Sequence, residues 1–128
     1  MEVWINRVQT AVDWLRFSKV FRETVETAPG RLIICGDYRL LEEVSPEASR
    51  SLLAGYVLAN PKLDRAALLV PGRMPLLRRQ VDDLVKAARH PSRRICSDVA
   101  DVRAWLWSQL DAQERVRLDQ FLGSIARR

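Results

Sequence analysis

Arg31 to Arg50 reads RLIICGDYRLLEEVSPEASR, and its punctuation decides the fold. Leu32, Ile33, Ile34 and Cys35 form an unbroken apolar run, entered from Pro29-Gly30 and left through Gly36-Asp37. A strand covered on both faces is written this way, because neither face needs polar residues. Beyond a short acidic loop, Ser45 supplies a hydroxyl for an orphan N–H, Pro46 a preset backbone angle and Glu47 a negative charge in the positive first turn of a helix. Strand, loop and helix N-terminus make up the unit in which open α/β folds place their sites.

Working outward, an amphipathic helix is predicted from Val8 to Thr27, with Val8, Ala11, Val12, Leu15, Phe21 and Val25 recurring at three- and four-residue intervals and Ala28-Pro29-Gly30 ending it. Glu2 to Asn6 leaves room only for a short strand or an unstructured lead, with Trp4 placed to pin it to the core. The helix after Ser45 runs from Pro46 to Ala59 and stops at Asn60-Pro61. Arg65 to Val70 is the second apolar strand, and the helix from Met74 to Arg89 follows, stopped by His90-Pro91. Arg93 to Cys96 is a short third strand. Asp98 with Asp101, and Asp111 with Glu114, each mark a helix start. The expectation is one α/β domain over residues 1–128, a small mainly parallel sheet flanked by helices in the order α-β-α-β-α-β-α-α.

Composition narrows the function classes. The chain has 128 residues, two cysteines and one histidine, so no cofactor or zinc site is expected. No run approaches the ~20 apolar residues that span a bilayer, and MEVWINR lacks the pattern of a signal peptide, so a reduced, cytoplasmic protein is expected. Eighteen of the basic residues are arginine and three are lysine, a bias typical of GC-rich bacterial genomes. Between Pro71 and Ile95 seven basic residues face two acids, and this segment carries the whole net charge of +5. Arg79 with Asp83, and Asp82 with Lys86, are spaced to pair on one helix face.

Two segments together resemble the stand-alone bacterial SpoIIAA-like proteins of the STAS (anti-sigma-factor antagonist) superfamily. The first is Asp37 closing an apolar strand with Ser45-Pro46-Glu47-Ala48-Ser49-Arg50 opening a helix. The second is Arg94-Ile95-Cys96-Ser97-Asp98, leading to a helix that carries Ala104-Trp105-Leu106. The resemblance implies a small sheet with helices packed against it, no catalytic chemistry, and work done by binding another protein. It also implies a phosphoacceptor at the place of Ser45, although the family's Asp-Ser-Ser/Ala-Gly turn is replaced by Val44-Ser45-Pro46-Glu47. The family's N-terminal hairpin has no room here. An open sheet edge would then remain, and an open edge is a template for pairing, so a homodimer through it is expected.

Each candidate site has a structural competitor. Ser45 reads as a phosphoacceptor or as a plain N-cap. Asp37, with Glu42 and Glu43, reads as a cation or partner site at the carboxyl end of a strand, or as a solvated acidic loop. Arg78 and Arg79 on one side and Arg93 and Arg94 on the other read as a docking patch, a nucleic-acid surface or a solvated face. The absence of aromatics between Pro71 and Ile95 counts against base stacking. Trp105 is expected inside, Trp107 covered by the last helix or exposed as an anchor, and His90 protonated at a helix C-terminus. The function expected is a non-enzymatic protein-interaction module whose binding face holds Asp37, Glu42, Glu43, Ser45 and Arg50, with Arg78, Arg79, Arg93 and Arg94 as a second contact. A nucleic-acid or anionic-surface binder is the alternative, and a small-molecule or lipid carrier a further one.

Overall fold

A computed structural model describes residues 2–7, 11–39, 41 and 43–123, with the side chains of 2–7 and 11–17 outside the description. The elements are β1 (Glu2–Arg7), α1 (Ala11–Thr27), β2 (Leu32–Asp37), α2 (Pro46–Ala59), β3 (Leu63–Leu69), α3 (Pro75–Ala88), β4 (Arg93–Cys96), α4 (Val99–Leu106), a 3-10 turn (Trp107–Gln109) and α5 (Ala112–Gly123). The predicted α/β class holds, and the predicted order needs a correction at its start, where β1 precedes the first helix. β1 pairs in parallel with β2, from Glu2 opposite Leu32 to Arg7 opposite Asp37. Six residues are too few for periodicity to separate strand from lead, so the pairing itself decides. β1 takes the place beside β2, so the outer strands of the sheet are β1 and β4. The expected contact of Trp4 with the core lies outside the described side chains.

The sheet order is β1-β2-β3-β4 with every pair parallel. Alternation along β2 and β3 sends side chains to two separate cores. Leu32 and Ile34 of β2 and Ala66 and Leu68 of β3 pack with Phe21 and Val25 of α1, Leu52 and Tyr56 of α2, and Leu77 and Val81 of α3. Ile33, Cys35, Ala67 and Leu69 pack with Val102 and Leu106 of α4 and Leu118 and Leu122 of α5. All three crossover helices therefore lie on one face, as three successive crossovers of one hand require. The last two helices close the other.

Capping follows the sequence signals closely. Ser45 Oγ accepts the Ala48 N–H at 3.1 Å, with Pro46 beginning α2. Asp98 accepts from Asp101 N–H at 2.8 Å. Asp111 and Glu114 form a reciprocal box, each backbone N–H donating to the other's carboxylate at 2.8 Å. Arg89, at φ 56°, ends α3 in the left-handed region. The carbonyl ends of the crossover helices are met as well. Lys62 Nζ donates to Val25 and Ala28 carbonyls at 2.6 and 2.9 Å at the end of α1. Arg93 Nη2 donates to Tyr56 O at 2.6 Å at the end of α2, and Asn60 Nδ2 to Ala88 O at 2.8 Å at the end of α3.

Gly36 interrupts the apolar side chains on the crossover face, and the ring of Tyr38 folds back into that gap. The Tyr38 hydroxyl reaches the Tyr56 hydroxyl at 2.9 Å, and the Arg93 guanidinium lies 4.7 Å from the Tyr56 ring centroid. Burial raises both phenols, Tyr56 to about 12, so they act as neutral hydrogen-bonding groups. A Cβ at Gly36 would stand 3.1 Å from Leu68 Cδ2 and 3.2 Å from the Tyr38 ring. Gly36→Val is therefore expected to lower stability by about 1–3 kcal/mol through overpacking, despite valine's strand preference. Chemical denaturation checks this, and an unchanged midpoint would mean that the Tyr38 ring is not held over Gly36.

Candidate functional site

At the carboxyl ends of the strands, open α/β sheets place ligands in the crevice where strand order reverses. The order β1-β2-β3-β4 contains no reversal. The space after β2 is filled by protein instead. Tyr38, Leu41 and Val44 turn inward from the loop and are buried. Gln80 of α3 brackets that loop: its Oε1 accepts the Val44 N–H at 2.8 Å while its Nε2 donates to the Val44 carbonyl at 3.1 Å. An amide side chain here pairs with the backbone as a neighbouring strand would, and fixes the loop beside the start of α3.

Asp37 is 0 % exposed. Arg39 Nε and Nη2 donate to its two carboxylate oxygens at 3.0 and 2.9 Å, and the Arg39 N–H donates to Oδ1 at 3.1 Å. The same Nη2 donates to Leu122 O at 2.8 Å, tying the end of β2 to α5. The expectation that Asp37 faces a cation or partner is thus corrected: its side chain has no surface to offer and serves as the anchor of a clamp. Glu42 lies outside the described residues. Glu43, Ser45, Glu47 and Arg50 are exposed around the start of α2.

The basic segment is divided by the geometry of a strand, whose successive side chains leave on opposite faces. Arg93 turns toward α2 and is 7 % exposed, its Nη1 donating to Asn60 Oδ1 at 2.6 Å. Arg94 turns the other way, pairing with Asp101 at 3.2 Å and lying 5.8 Å from the Trp105 ring centroid. Arg78 and Arg79 stand on α3, where Arg78 Nη1 donates to Ser97 Oγ at 2.9 Å and Arg79 is exposed. The expected grouping of Arg93 and Arg94 as one side of a docking face is therefore corrected. On α3, Lys86 and Asp82 pair at 2.8 Å, while Arg79 and Asp83 form no ion pair.

The two tryptophans hold the far layer together. Trp105, expected buried, is half-buried: its Nε1 donates to Ala66 O at 3.0 Å and Arg65 stacks over its ring at 4.7 Å. Trp107 lies between Arg103 at 4.3 Å and Arg115 at 5.0 Å, and its carbonyl accepts two bonds from Arg115. The last helix covers it, as one of the two readings predicted.

Reactive groups are dispersed. Burial pushes both thiols up to about 12, aided at Cys35 by the negative charge of Asp37 and at Cys96 by that of Asp101, so both are protonated near neutrality. His90 sits at the opposite edge of the sheet. Its value is lowered by burial first and then by Arg93 and Arg31, and its Nδ1 accepts the Ser92 N–H at 3.1 Å. The expected protonated histidine is corrected to a neutral one, because burial first, and then the charges of Arg93 and Arg31, disfavour the imidazolium. No group of histidine, cysteine and carboxylate side chains placed to hold a metal occurs among the described residues. No helix among them is long and apolar enough to cross a membrane.

No protein-family model, curated protein or solved structure matches this chain. The residues that sequence reasoning missed are Arg39 and Gln80. Arg39 had a local signal, since aspartate after a strand accepts the backbone N–H two residues on. Gln80 had none, because its partner lies 36 positions away.

Two predictions follow from these contacts. Arg39→Met should cost about 3–5 kcal/mol by stranding a buried carboxylate, and Asp37→Asn with Arg39→Met should recover most of that loss; equal losses in denaturant titrations would show that the clamp is not an ion pair. For His90, the unfolded chain binds the proton more tightly than the folded one, so stability rises with pH through the ordinary histidine value of 6.5 and falls below it. Thermal midpoints between pH 5 and 8 should drop on acidification, and less so in His90→Asn.

Proposed function

We propose that this chain is a non-enzymatic protein-interaction module of the SpoIIAA-like kind, a regulatory or scaffolding domain. The binding surface we assign is the exposed start of α2, with Glu43, Ser45, Glu47 and Arg50, together with Arg78 and Arg79 on α3. The observation that carries the reading is the Gln80 bracket on Val44, which fixes the backbone between the exposed Glu43 and Ser45 beside the charged helix α3. Docking surfaces gain affinity when such groups are ordered before a partner arrives. The burial of Tyr38, Leu41 and Val44 in the loop after β2 supports the same reading, since it leaves Glu43 and the start of α2 as the described surface that a partner meets.

The SpoIIAA resemblance rests on the strand ending at Asp37 and the helix opening at Ser45, and the small sheet with packed helices is in keeping with it. Ser45 is exposed and its hydroxyl is occupied as the cap of α2, which gives that residue a structural role; phosphate added there would meet a helix N-terminus and recast the charge of the surface. Nucleic-acid binding draws less support, because Arg93 and Arg94 leave β4 on opposite faces and do not extend the Arg78–Arg79 patch.

The test is capture of partners from a native extract with the wild-type chain and with two variants, Ser45→Asp and Arg78→Glu with Arg79→Glu. Each should weaken binding of a stoichiometric protein partner about tenfold or more while circular dichroism stays unchanged. Normal binding by both folded variants would displace the assigned surface, and recovery of nucleic acid alone would replace the reading.

A further inference from the structure

β4 ends the sheet, and only one side of it is paired. Ser92 O accepts the Ala66 N–H at 3.0 Å and Cys96 O accepts the Val70 N–H at 2.9 Å, so the even-numbered residues along this strand bond to β3. In a ladder the alternate residues turn their N–H and C=O groups the other way. Arg93 and Ile95 therefore direct theirs out of the sheet, where no backbone group among the described residues meets them. α3 lies along the same edge. Its Gln80 reaches toward the start of α2, and Arg78, Asp82, Val85 and Arg89, one turn apart in succession, face the other way, past β4. Arg78 Nη1 donates to Ser97 Oγ at 2.9 Å, which fixes the level of the helix against the strand. From that contact the helix descends about 16 Å to Arg89, and the strand about 13 Å from Ser97 to Arg93. The two arginines thus stand at the two ends of the open edge, and neither pairs with a carboxylate among the described residues. Between them Val85 and Ile95 are half-buried against the crossover-side core, and Asp82 is answered by Lys86 at 2.8 Å.

We infer that the β4 edge is the docking site for an extended acidic segment of a partner protein, added to the sheet as a further strand. The inference rests on the interaction-module reading above, shares Arg78 with it, and names the partner's chemistry. Backbone bonds to Arg93 and Ile95 supply affinity, and side chains at alternate positions supply selection. A residue opposite Ile95 packs on Ile95 and Val85, while carboxylates two positions to either side, on the same face, reach Arg78 and Arg89. An acid-x-apolar-x-acid pattern reads the same in both directions, so it serves a parallel or an antiparallel segment. On the other face Arg94 is already paired with Asp101, so selection falls to the α3 side. Charge decides the occupant. Two-fold pairing of a second copy about Ile95 sets each Arg78 toward the other copy's Arg89, and pairing about Arg94 sets two copies of Arg94 opposite each other. Like charges directly opposite are destabilising, so the arginines that oppose self-pairing favour a negatively charged strand.

The probe is the end-capped peptide Thr-Glu-Thr-Val-Thr-Glu-Thr, titrated into the isotope-labelled full chain and followed through its backbone amide signals by NMR. The N–H signals of Arg93 and Ile95 should shift saturably and gain protection from hydrogen exchange. A peptide with lysine in place of both glutamates should bind about tenfold more weakly or worse, and so should the original peptide to the variant Arg78→Gln with Arg89→Asn. Asparagine suits the left-handed conformation at position 89, and an unchanged circular-dichroism spectrum confirms that the variant folds. Absence of saturable shifts at Arg93 and Ile95, equal affinity for the lysine peptide, or shifts confined to the start of α2 would overturn the inference. The peptide is synthetic, so its failure is separate from that of the capture experiment: a chain that captures a protein partner but ignores the peptide loses the docking edge and keeps the interaction reading.

Discussion

Three parallel crossovers of one hand aim the carbonyl ends of three helices at the same edge of the sheet, and that edge must be neutralised for the fold to stand. Each helix terminus leaves carbonyls without intrahelical partners and a partial negative charge. Lys62 meets α1, Arg93 meets α2 and Asn60 meets α3, while Arg93 also holds Asn60 in place. Hydrogen bonds from charged donors contribute about 1.5–3 kcal/mol each, more than neutral ones. The arrangement explains why a guanidinium can be buried beside Tyr56 with no carboxylate bonded to it: its charge answers carbonyls and an aromatic face.

The opposite edge is governed by a different requirement. Loops that leave the carboxyl ends of the strands must return to helix N-termini, and here the longest of them is drawn inward by Tyr38, Leu41 and Val44 and bracketed by Gln80. The Asp37–Arg39 clamp extends this closure to α5 on the far face through Leu122. Strand order never reverses, and among the described residues beside these loops the exposed charged side chains lie on the outside of α2 and α3.

Local patterns were legible where the physics is local. The boundaries of α2, the caps at Ser45, Asp98 and Asp111, and the strand Arg93–Cys96 were all readable from propensity and side-chain chemistry a few residues apart. The candidate site was legible only in part. Ser45, Glu43, Arg50 and Arg79 are exposed as an interaction surface needs, because polar residues at a helix start or on its outer face have solvent as their default. Asp37 and Arg93 were misplaced. Both are charged residues in short strands, where burial depends on which partner arrives from elsewhere in the chain, and sequence spacing carries no record of Arg39's second bond to Leu122 or of the Tyr56 ring.

The sequence by itself determined the α/β class, the helix starts and the two-sided burial of β2 and β3, since hydrophobic runs and capping residues act over a single turn or strand. Tertiary structure alone decided that β1 joins the sheet, that Arg93 and Arg94 part to opposite faces, and that Gln80 substitutes for a strand beside Val44. It also decided that the outer face of α2 lies uncovered next to α1. These outcomes depend on strand pairing and helix packing between segments distant in the chain, whose free energy is set by the whole assembly rather than by any neighbouring residue.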